Sequence, residues 1–197
     1  ARVAIQGFGS VGKAAARFLE KKGAVTVAAS DTGGTILKPD GLDIKELIAL
    51  KDSGQSVVRF QGGRALKPGE IFSVPCDILI PAATPDVITK DNAPSVTAKL
   101  VLQGANIPAT PEAEEIFRSR GIVSVPDFIA NAGGVIMAAM EYAKRVEKEA
   151  FDAIAARIRT NTKLILEKAF AENLLPRQAA VAIASARVRE AMQYKEY

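Results

Sequence analysis

The chain has 197 residues, with 26 Lys and Arg against 22 Asp and Glu, one Cys and no His. The lack of His excludes from these residues a Ser-His-Asp triad, a His-ligated metal and imidazole acid–base catalysis. A single Cys excludes an internal disulfide and a cysteine-based zinc cage, and it is typical of a reducing compartment. At 48% apolar and 24% charged residues, the composition predicts an ordinary globular domain, with or without a helical extension.

Charge and hydropathy argue against two classes of partner. The net charge is +4, but basic and acidic residues are interleaved, so we expect no nucleic-acid partner. No apolar run approaches the roughly 20 residues that cross a bilayer, so we expect no membrane partner. The sequence opens on an apolar strand with no recognisable secretion leader, and we expect it to be part of a longer protein.

The first 125 residues alternate short apolar runs with helical patterns, which indicates βαβ units. The runs are too continuously apolar for one-sided exposure, and this favours a parallel sheet covered on both faces. The predicted strands are Arg2–Gln6, Val25–Ser30, Asp77–Ile80, Leu100–Gln103 and Ile122–Val125, with Val57–Phe60 as a weaker candidate.

Helices are predicted between these strands. The first helix is predicted from a stripe of residues at helical spacing that would pack against the sheet: Val11, Ala15, Phe18, Leu19 and Lys22. Gly23 supplies its stop signal. Further helices are predicted at Asp43–Lys51 and Pro111–Arg120, the second with Thr110 as its N-cap.

The pattern changes after Pro126, where only helix-favouring composition remains. We predict helices at Ala132–Glu147, Lys148–Glu172 and Pro176–Tyr194. The predicted fold is α/β: a Rossmann-type doubly wound, mostly parallel sheet with helices on both faces and a C-terminal helical segment. We divide it into a core at residues 1–131 and helices at residues 132–197 of the same structural domain.

One motif carries chemistry, the G-x-G-x-x-G run Gly7-Phe8-Gly9-Ser10-Val11-Gly12 between a strand and a helix. Its three glycines allow a tight turn, close approach of a pyrophosphate and packing of helix on strand. The second strand ends in Asp31, 19 residues after Gly12 (31 − 12), where an acid binds the adenosine ribose. A plain β–turn–α corner with an unrelated Asp is the alternative, but the combined set favours a dinucleotide site.

The same Asp31 bears on the choice of cofactor. A carboxylate there favours NAD over NADP, because it would repel the 2′-phosphate. Lys38 lies downstream and would supply positive charge if its loop folds back, so NADP stays open as an alternative.

Three further strand ends carry small or amide side chains. Ala82 and Ala83 follow one strand. Their small side chains would let a cofactor pass close to the backbone, or they are part of an ordinary connection from strand to loop. Asn106 and Asn131 follow two others, at the sheet edge where α/β folds bind ligands. Each Asn suits a nicotinamide amide or ribose, and equally a turn or a helix cap.

Taken in order, these segments resemble the cofactor-binding domain of the glutamate/leucine/phenylalanine/valine dehydrogenase family. The matching runs are Ile5–Gly12, Ser30-Asp31, Pro81-Ala82-Ala83, Gly104-Ala105-Asn106, Thr110–Ala113 and Pro126–Val135. The resemblance, nearest to glutamate dehydrogenase, implies reversible oxidative deamination of an L-amino acid to a 2-oxo acid, with hydride passing to NAD or NADP. It also implies a cytoplasmic homo-oligomer, usually a hexamer.

The resemblance also assigns roles to individual residues. It places the pyrophosphate at the glycine loop with Ser10 and Val11, and the adenosine ribose at Asp31 and Thr32. It lines the path to the nicotinamide ribose with Ala82 and Ala83 and orients the nicotinamide by Asn106 and Asn131.

Two positions depart from the glutamate-specific pattern. Ala138 stands near the substrate where those enzymes commonly have Ser, and Leu102-Gln103 replaces a common Val-Glu. A dehydrogenase for another L-amino acid therefore stays open.

The family's catalytic Lys and Asp lie in a preceding substrate domain that these 197 residues do not contain. We therefore expect no catalytic residue and no metal site here, and a chain that binds cofactor without turnover. A stand-alone NAD(H)-sensing regulatory module is the alternative.

Overall fold

The computed structural model describes residues 1–193. One seven-stranded sheet runs in the order β4-β3-β2-β1-β5-β6-β7. Its strands are β1 (Arg2–Gln6), β2 (Val25–Asp31), β3 (Gly34–Leu37), β4 (Arg64–Leu66), β5 (Ile78–Pro81), β6 (Leu100–Leu102) and β7 (Val123–Val125).

Seven α-helices lie within the described residues. They are α1 (Ser10–Glu20), α2 (Ile44–Asp52), α3 (Pro111–Ser119), α4 (Asp127–Ala130), α5 (Gly133–Tyr142), α6 (Glu147–Ala171) and α7 (Pro176–Gln193). Short 3-10 helices occur at Val57–Arg59, Pro68–Ser73 and Ala93–Ser95. Tyr194, the predicted end of the last helix, lies outside the described residues.

The predicted fold class is confirmed. Strand β1 pairs in parallel with β2 on one side and β5 on the other, and β5 pairs in parallel with β6. The chain moves outward from β1 through β2, then returns to the other side at β5. This reversal leaves a crevice at the carboxyl ends of the strands, where doubly wound sheets bind ligands.

Both faces of the sheet are buried, as its apolar strands predict. Along β1, Val3 and Ile5 pack with residues of α1 and α2, whereas Ala4 packs with Phe72 and Phe117 on the opposite face. The alternation along this strand therefore decides which of its side chains approach which wall of the crevice.

The prediction of a strand at Val57–Phe60 is wrong. Residues Val57–Arg59 form a 3-10 helix, because the Ser56 side chain caps it and accepts a hydrogen bond from the Val58 amide. Sequence analysis also missed β3 and β4, which pair antiparallel with their neighbours. Both are short, and periodicity gives little signal over three or four residues.

Helix α1 exists as predicted, but its buried stripe is displaced. Gly12 and Ala16 form its buried line, whereas Val11 and Phe18 are each 48% exposed. The helix ends at Glu20, so Lys22 lies beyond it. Arg17 and Lys21 lie over the exposed Phe18 ring, at 5.7 and 5.6 Å from its centroid.

The chain divides into two compact units, Ala1–Ser124 and a second that begins at Val125. Within the second, α5 ends at Tyr142, earlier than the predicted Glu147. Its core joins α6 and α7 through Ile165, Ala169, Ala179 and Ala180. The placement of a boundary at residue 131 stays a prediction.

Two further features of the described residues bear on the protein's class. None of their helices has the length and apolar character that crossing a membrane requires. Cys76 is a free thiol, partly buried against the core, and burial raises its pKa to about 11. A thiol with so high a pKa is a poor nucleophile, so Cys76 has a packing role.

Candidate functional site

A cleft of about 730 Å³ lies in the first compact unit. Residues from the ends of β1, β2 and β5 converge on it, as the reversal of strand order requires. Of the predicted site residues, those that line it are Gly7, Phe8, Gly9, Ser10, Val11, Asp31, Thr32, Ala82 and Ala83.

The glycine loop is shaped for close approach. Gly7 has a φ of +90°, and a Cβ on it would lie 2.6 Å from the Ala83 Cβ. A Cβ on Gly9 would meet no atom within 4 Å, so Gly9 opens onto free space beside the cleft. Gly12 instead lies beneath the loop, where a Cβ would approach the Gly7 carbonyl oxygen to 2.0 Å.

Helix α1 begins directly at this loop. Its first helical hydrogen bond runs from the Lys13 amide to the Gly9 carbonyl, at 2.9 Å. The preceding amides, from Ser10 to Gly12, lack helical acceptors, and no side chain caps the helix. No acidic residue lies in the first turn, so the positive end of the helix is available to an anion.

Asp31 ends β2 and holds four hydrogen-bond donors. Its Oδ2 accepts from Lys51 Nζ at 2.7 Å and from the Val57 amide at 2.9 Å. Its Oδ1 accepts from Ser56 Oγ at 2.7 Å and from the Gly33 amide at 2.9 Å. Burial alone would raise the pKa of this carboxyl, but these hydrogen bonds outweigh burial and lower the pKa below 3.8.

The cation beside Asp31 is Lys51, and not Lys38, which was the alternative source of positive charge if its loop folded back. Lys38 lies over the Phe60 ring, at 5.8 Å from its centroid, and lines a separate cavity. Lys51 sits in the last turn of α2, which carries it to the cleft. Sequence alone offered no signal for Lys51, because its 20-residue separation from Asp31 is closed only by the packing of α2.

The opposite wall of the cleft was missed by the sequence analysis. It consists of Pro68, Gly69 and Phe72 from a 3-10 helix, together with Val87. Gln6, the last residue of β1, also lines the cleft. These residues carry no motif, and only the tertiary fold brings them to the glycine loop.

The remaining predicted residues lie elsewhere. Asn106 is exposed on the loop after β6, whose Gly104 and Ala105 amides donate to the Pro81 carbonyl at 3.0 and 2.9 Å. Asn131 is at the C-cap of α4, and Ala138 is exposed on α5. Asn131 and Ala138 belong to the second compact unit.

Gln103, which replaces a common Glu, is hydrogen-bonded within the fold. It is fully buried, and its Nε2 donates to Glu114 Oε1 at 2.8 Å and to Ser124 Oγ at 3.0 Å. These bonds join Gln103, the residue after β6, to α3 and β7. An amide that uses both of its hydrogens this way stabilises a buried carboxylate.

A sequence profile of the glutamate/leucine/phenylalanine/valine dehydrogenases matches residues 1–195. The chain belongs to this family. Two relatives in the glutamate/leucine/phenylalanine/valine dehydrogenase family are the NADP-specific glutamate dehydrogenase of Saccharolobus shibatae, 41% identical over 98% of this chain, and the glutamate dehydrogenase of Aeropyrum pernix, 40% identical over 98%.

The chain spans about half the length of these relatives, covering 47% of the first and 49% of the second. Two solved structures are similar to this chain. A hetero-hexameric glutamate dehydrogenase of Thermus thermophilus in a leucine-bound form has a TM-score of 0.87 and 28% identity, over all of this chain and 48% of that one. An L-tryptophan dehydrogenase of Nostoc punctiforme has a TM-score of 0.75 and 26% identity, over 96% of this chain and 52% of that one.

Proposed function

We propose that this chain is the NAD(P)-binding half of an L-glutamate dehydrogenase. The whole enzyme would convert L-glutamate, NAD(P)⁺ and water to 2-oxoglutarate, ammonium and NAD(P)H. The observation that carries the proposal is the single cleft shared by the open Gly9, the uncapped start of α1 and Asp31. The two relatives at about 40% identity, both glutamate dehydrogenases, support it.

The residues of this chain fit a dinucleotide in a defined order. The amides at the start of α1 and the bare backbone of Gly9 would hold the pyrophosphate. Asp31 and Thr32 would hold the adenosine ribose, and Ala82 and Ala83 would line the way to the nicotinamide ribose. When bound, the nicotinamide ring supplies hydride chemistry, while the protein binds and orients it.

The nicotinamide end of the site is proposed to include Asn106 and Asn131. An Asn side chain offers two donors and an acceptor, which match the carboxamide and ribose groups there. Ala138 is proposed to lie near the substrate. Its methyl group would not hydrogen-bond a substrate carboxylate, and this keeps a dehydrogenase for another L-amino acid as the alternative, which the tryptophan enzyme's similarity supports.

The proposed cofactor is NAD, with NADP as the alternative. Asp31 disfavours a 2′-phosphate, but its charge is already paired with Lys51 at 2.7 Å. Lys51 also lines the cleft, so it is within the same site to contact a phosphate. We therefore propose a preference for NAD that is smaller than an unpaired carboxylate would give, and the NADP-specific relative is consistent with a small margin.

Calorimetric titration with NADH and NADPH tests the proposal on the 197-residue chain. We expect NADH to bind. Asp31→Asn should weaken NADH binding, because it removes the carboxylate that would hold the adenosine ribose. NADPH binding should weaken less, because the same change also relieves repulsion of the 2′-phosphate. Tighter NADPH binding by the wild type would overturn the NAD preference alone. A folded chain that binds neither dinucleotide would overturn the proposed function.

Assembly and location of the whole protein are proposals as well. We propose a homo-oligomer, most simply a hexamer. The similar Thermus thermophilus enzyme supports the number of subunits, although that assembly is hetero-hexameric. A cytoplasmic location is supported by the single free cysteine, which needs no oxidising compartment.

A further inference from the structure

Gln6 lines the cleft and has an amide oxygen to which no described residue donates a hydrogen bond. The residue ends the central strand β1 and lines the cleft. Its Oε1 is fully buried, and within residues 1–193 no group donates a hydrogen bond to it. Folded proteins nearly always pair buried amide groups, because an unpaired one destabilises the fold. Because Gln6 also lines the cleft, a bound ligand is placed to supply the missing donor once the amide turns toward it.

The direction of Gln6 follows from the alternation of β1. Val3 and Ile5 belong to the face covered by α1 and α2, whereas Ala4 packs with Phe72 on the other face. Two residues on from Ala4, Gln6 shares that second face. It therefore belongs to the wall formed by Pro68, Gly69 and Phe72 rather than to the glycine loop.

This wall lies at the Asp31 end of the cleft. The 3-10 helix Pro68–Ser73 packs on β1, β2 and β3. Thr35 of β3 donates its hydroxyl to the Pro68 carbonyl at 3.2 Å. Asp31 ends β2, whereas Ala82 follows β5 on the other side of β1. The wall therefore stands beside the predicted adenosine end.

We propose that Gln6 is a specificity-determining residue that hydrogen-bonds the adenine base of the cofactor. The inference rests on the proposed dinucleotide function. Phe72, Pro68 and Val87 offer an apolar surface for a flat ring. A glutamine amide donates and accepts side by side, which matches the N6 amine of adenine and an adjacent ring nitrogen. Rotation of the amide by 180° exchanges its oxygen and nitrogen, so either end serves.

Gln6→Leu tests this role through two effects of opposite sign. Loss of the unpaired oxygen should raise the urea midpoint of the free chain. Loss of the base contact should weaken NADH binding about threefold to tenfold. ADP, which carries the adenine, should weaken by the same factor, whereas nicotinamide mononucleotide should not change. A purely structural glutamine would not shift stability and affinity in opposite directions.

The chain offers a matched control in Thr26. Its Oγ1 is also buried without a donor or acceptor among residues 1–193, but it lines a different cavity at the opposite end of β2. Thr26→Val should raise the urea midpoint and leave NADH and ADP binding unchanged. Gln6→Met, an unbranched replacement of similar volume, should reproduce Gln6→Leu and guards against a packing defect specific to leucine.

Each outcome decides between the claims. Unchanged NADH and ADP affinity in folded Gln6→Leu and Gln6→Met overturns the role of Gln6. Weaker nicotinamide mononucleotide binding with unchanged ADP places the amide at the wrong end and overturns it too. A wild-type chain that binds neither NADH nor NADPH defeats the proposed function itself, and the inference falls with it.

Discussion

At the scale of single residues, the Asp31 carboxylate already connects several segments of the chain by hydrogen bonds before any cofactor binds. Each of its oxygens already accepts two hydrogen bonds, and its side chain is only 10% exposed. A carboxylate has about four acceptor positions, so all are filled. A ribose hydroxyl must therefore displace a donor. Of the two side-chain donors, Lys51 lines the cleft, which makes it the donor most readily exchanged.

The lowered pKa of Asp31 makes a prediction about stability and pH. In the unfolded chain the carboxyl protonates near its ordinary pKa of 3.8, whereas the folded chain holds the proton off to lower pH. Its contribution is therefore complete above about pH 5 and is lost as the pH falls through the folded pKa. We expect the free-energy difference between wild type and Asp31→Asn to shrink over that interval in urea titrations. A difference that stays constant down to the acid limit would contradict this.

Two glycines separate packing from ligand approach. A Cβ on Gly12 would press on the Gly7 carbonyl oxygen at 2.0 Å, so Gly12→Ala should destabilise the chain by about 1–3 kcal/mol. Gly9→Ala meets open space at a φ of −87° and should cost less than about 1 kcal/mol. It should nevertheless weaken NADH binding, because its methyl group occupies the pyrophosphate approach. Urea unfolding and calorimetry on both variants check the pair; equal stability losses would argue against it.

At the scale of elements, the starts of α2 and α3 were predictable because N-caps are local. Asp43 accepts from the Glu46 amide at 2.9 Å, and Thr110 accepts from the Ala113 amide at 3.3 Å. Both helices start within a residue of the predicted position. The segment at Val57 was predicted wrongly because its apolar run resembles a strand, while the deciding contact is the Ser56 cap.

Removing one cap gives a measurable loss. Asp43→Ala leaves the Glu46 amide without its side-chain acceptor and should lower the free energy of unfolding by about 1 kcal/mol. Asp40→Ala is the control, since Asp40 is exposed in the preceding loop and caps no helix. Chemical denaturation of the two variants compares them directly. A loss for Asp40→Ala as large as that for Asp43→Ala would point to loop charge rather than capping.

At the scale of the whole molecule, the cleft is assembled from residues between Gln6 and Val87 in one compact unit. NADH at a hundred times its dissociation constant should raise the free energy of unfolding of that unit by about 2.7 kcal/mol.

The same chain should not reduce NAD⁺ in the presence of L-glutamate, because no catalytic residue is predicted in it. Denaturation with and without NADH measures the stabilisation, and an absorbance assay for NADH measures turnover. Glutamate-dependent formation of NADH by this chain would contradict the prediction that it binds cofactor without catalysing the reaction.

The sequence by itself determined the features that depend on neighbours along the chain. The glycine loop, the start of α1 and the N-cap of α3 are set within a few residues, so spacing and composition identify them. The tertiary structure alone decided which distant side chains meet. Lys51 and Ser56 reach Asp31, and Phe72 reaches the wall beside Gln6, only because α2 and the 3-10 helices pack against the sheet. Such contacts depend on packing across the sheet, and no local pattern encodes them.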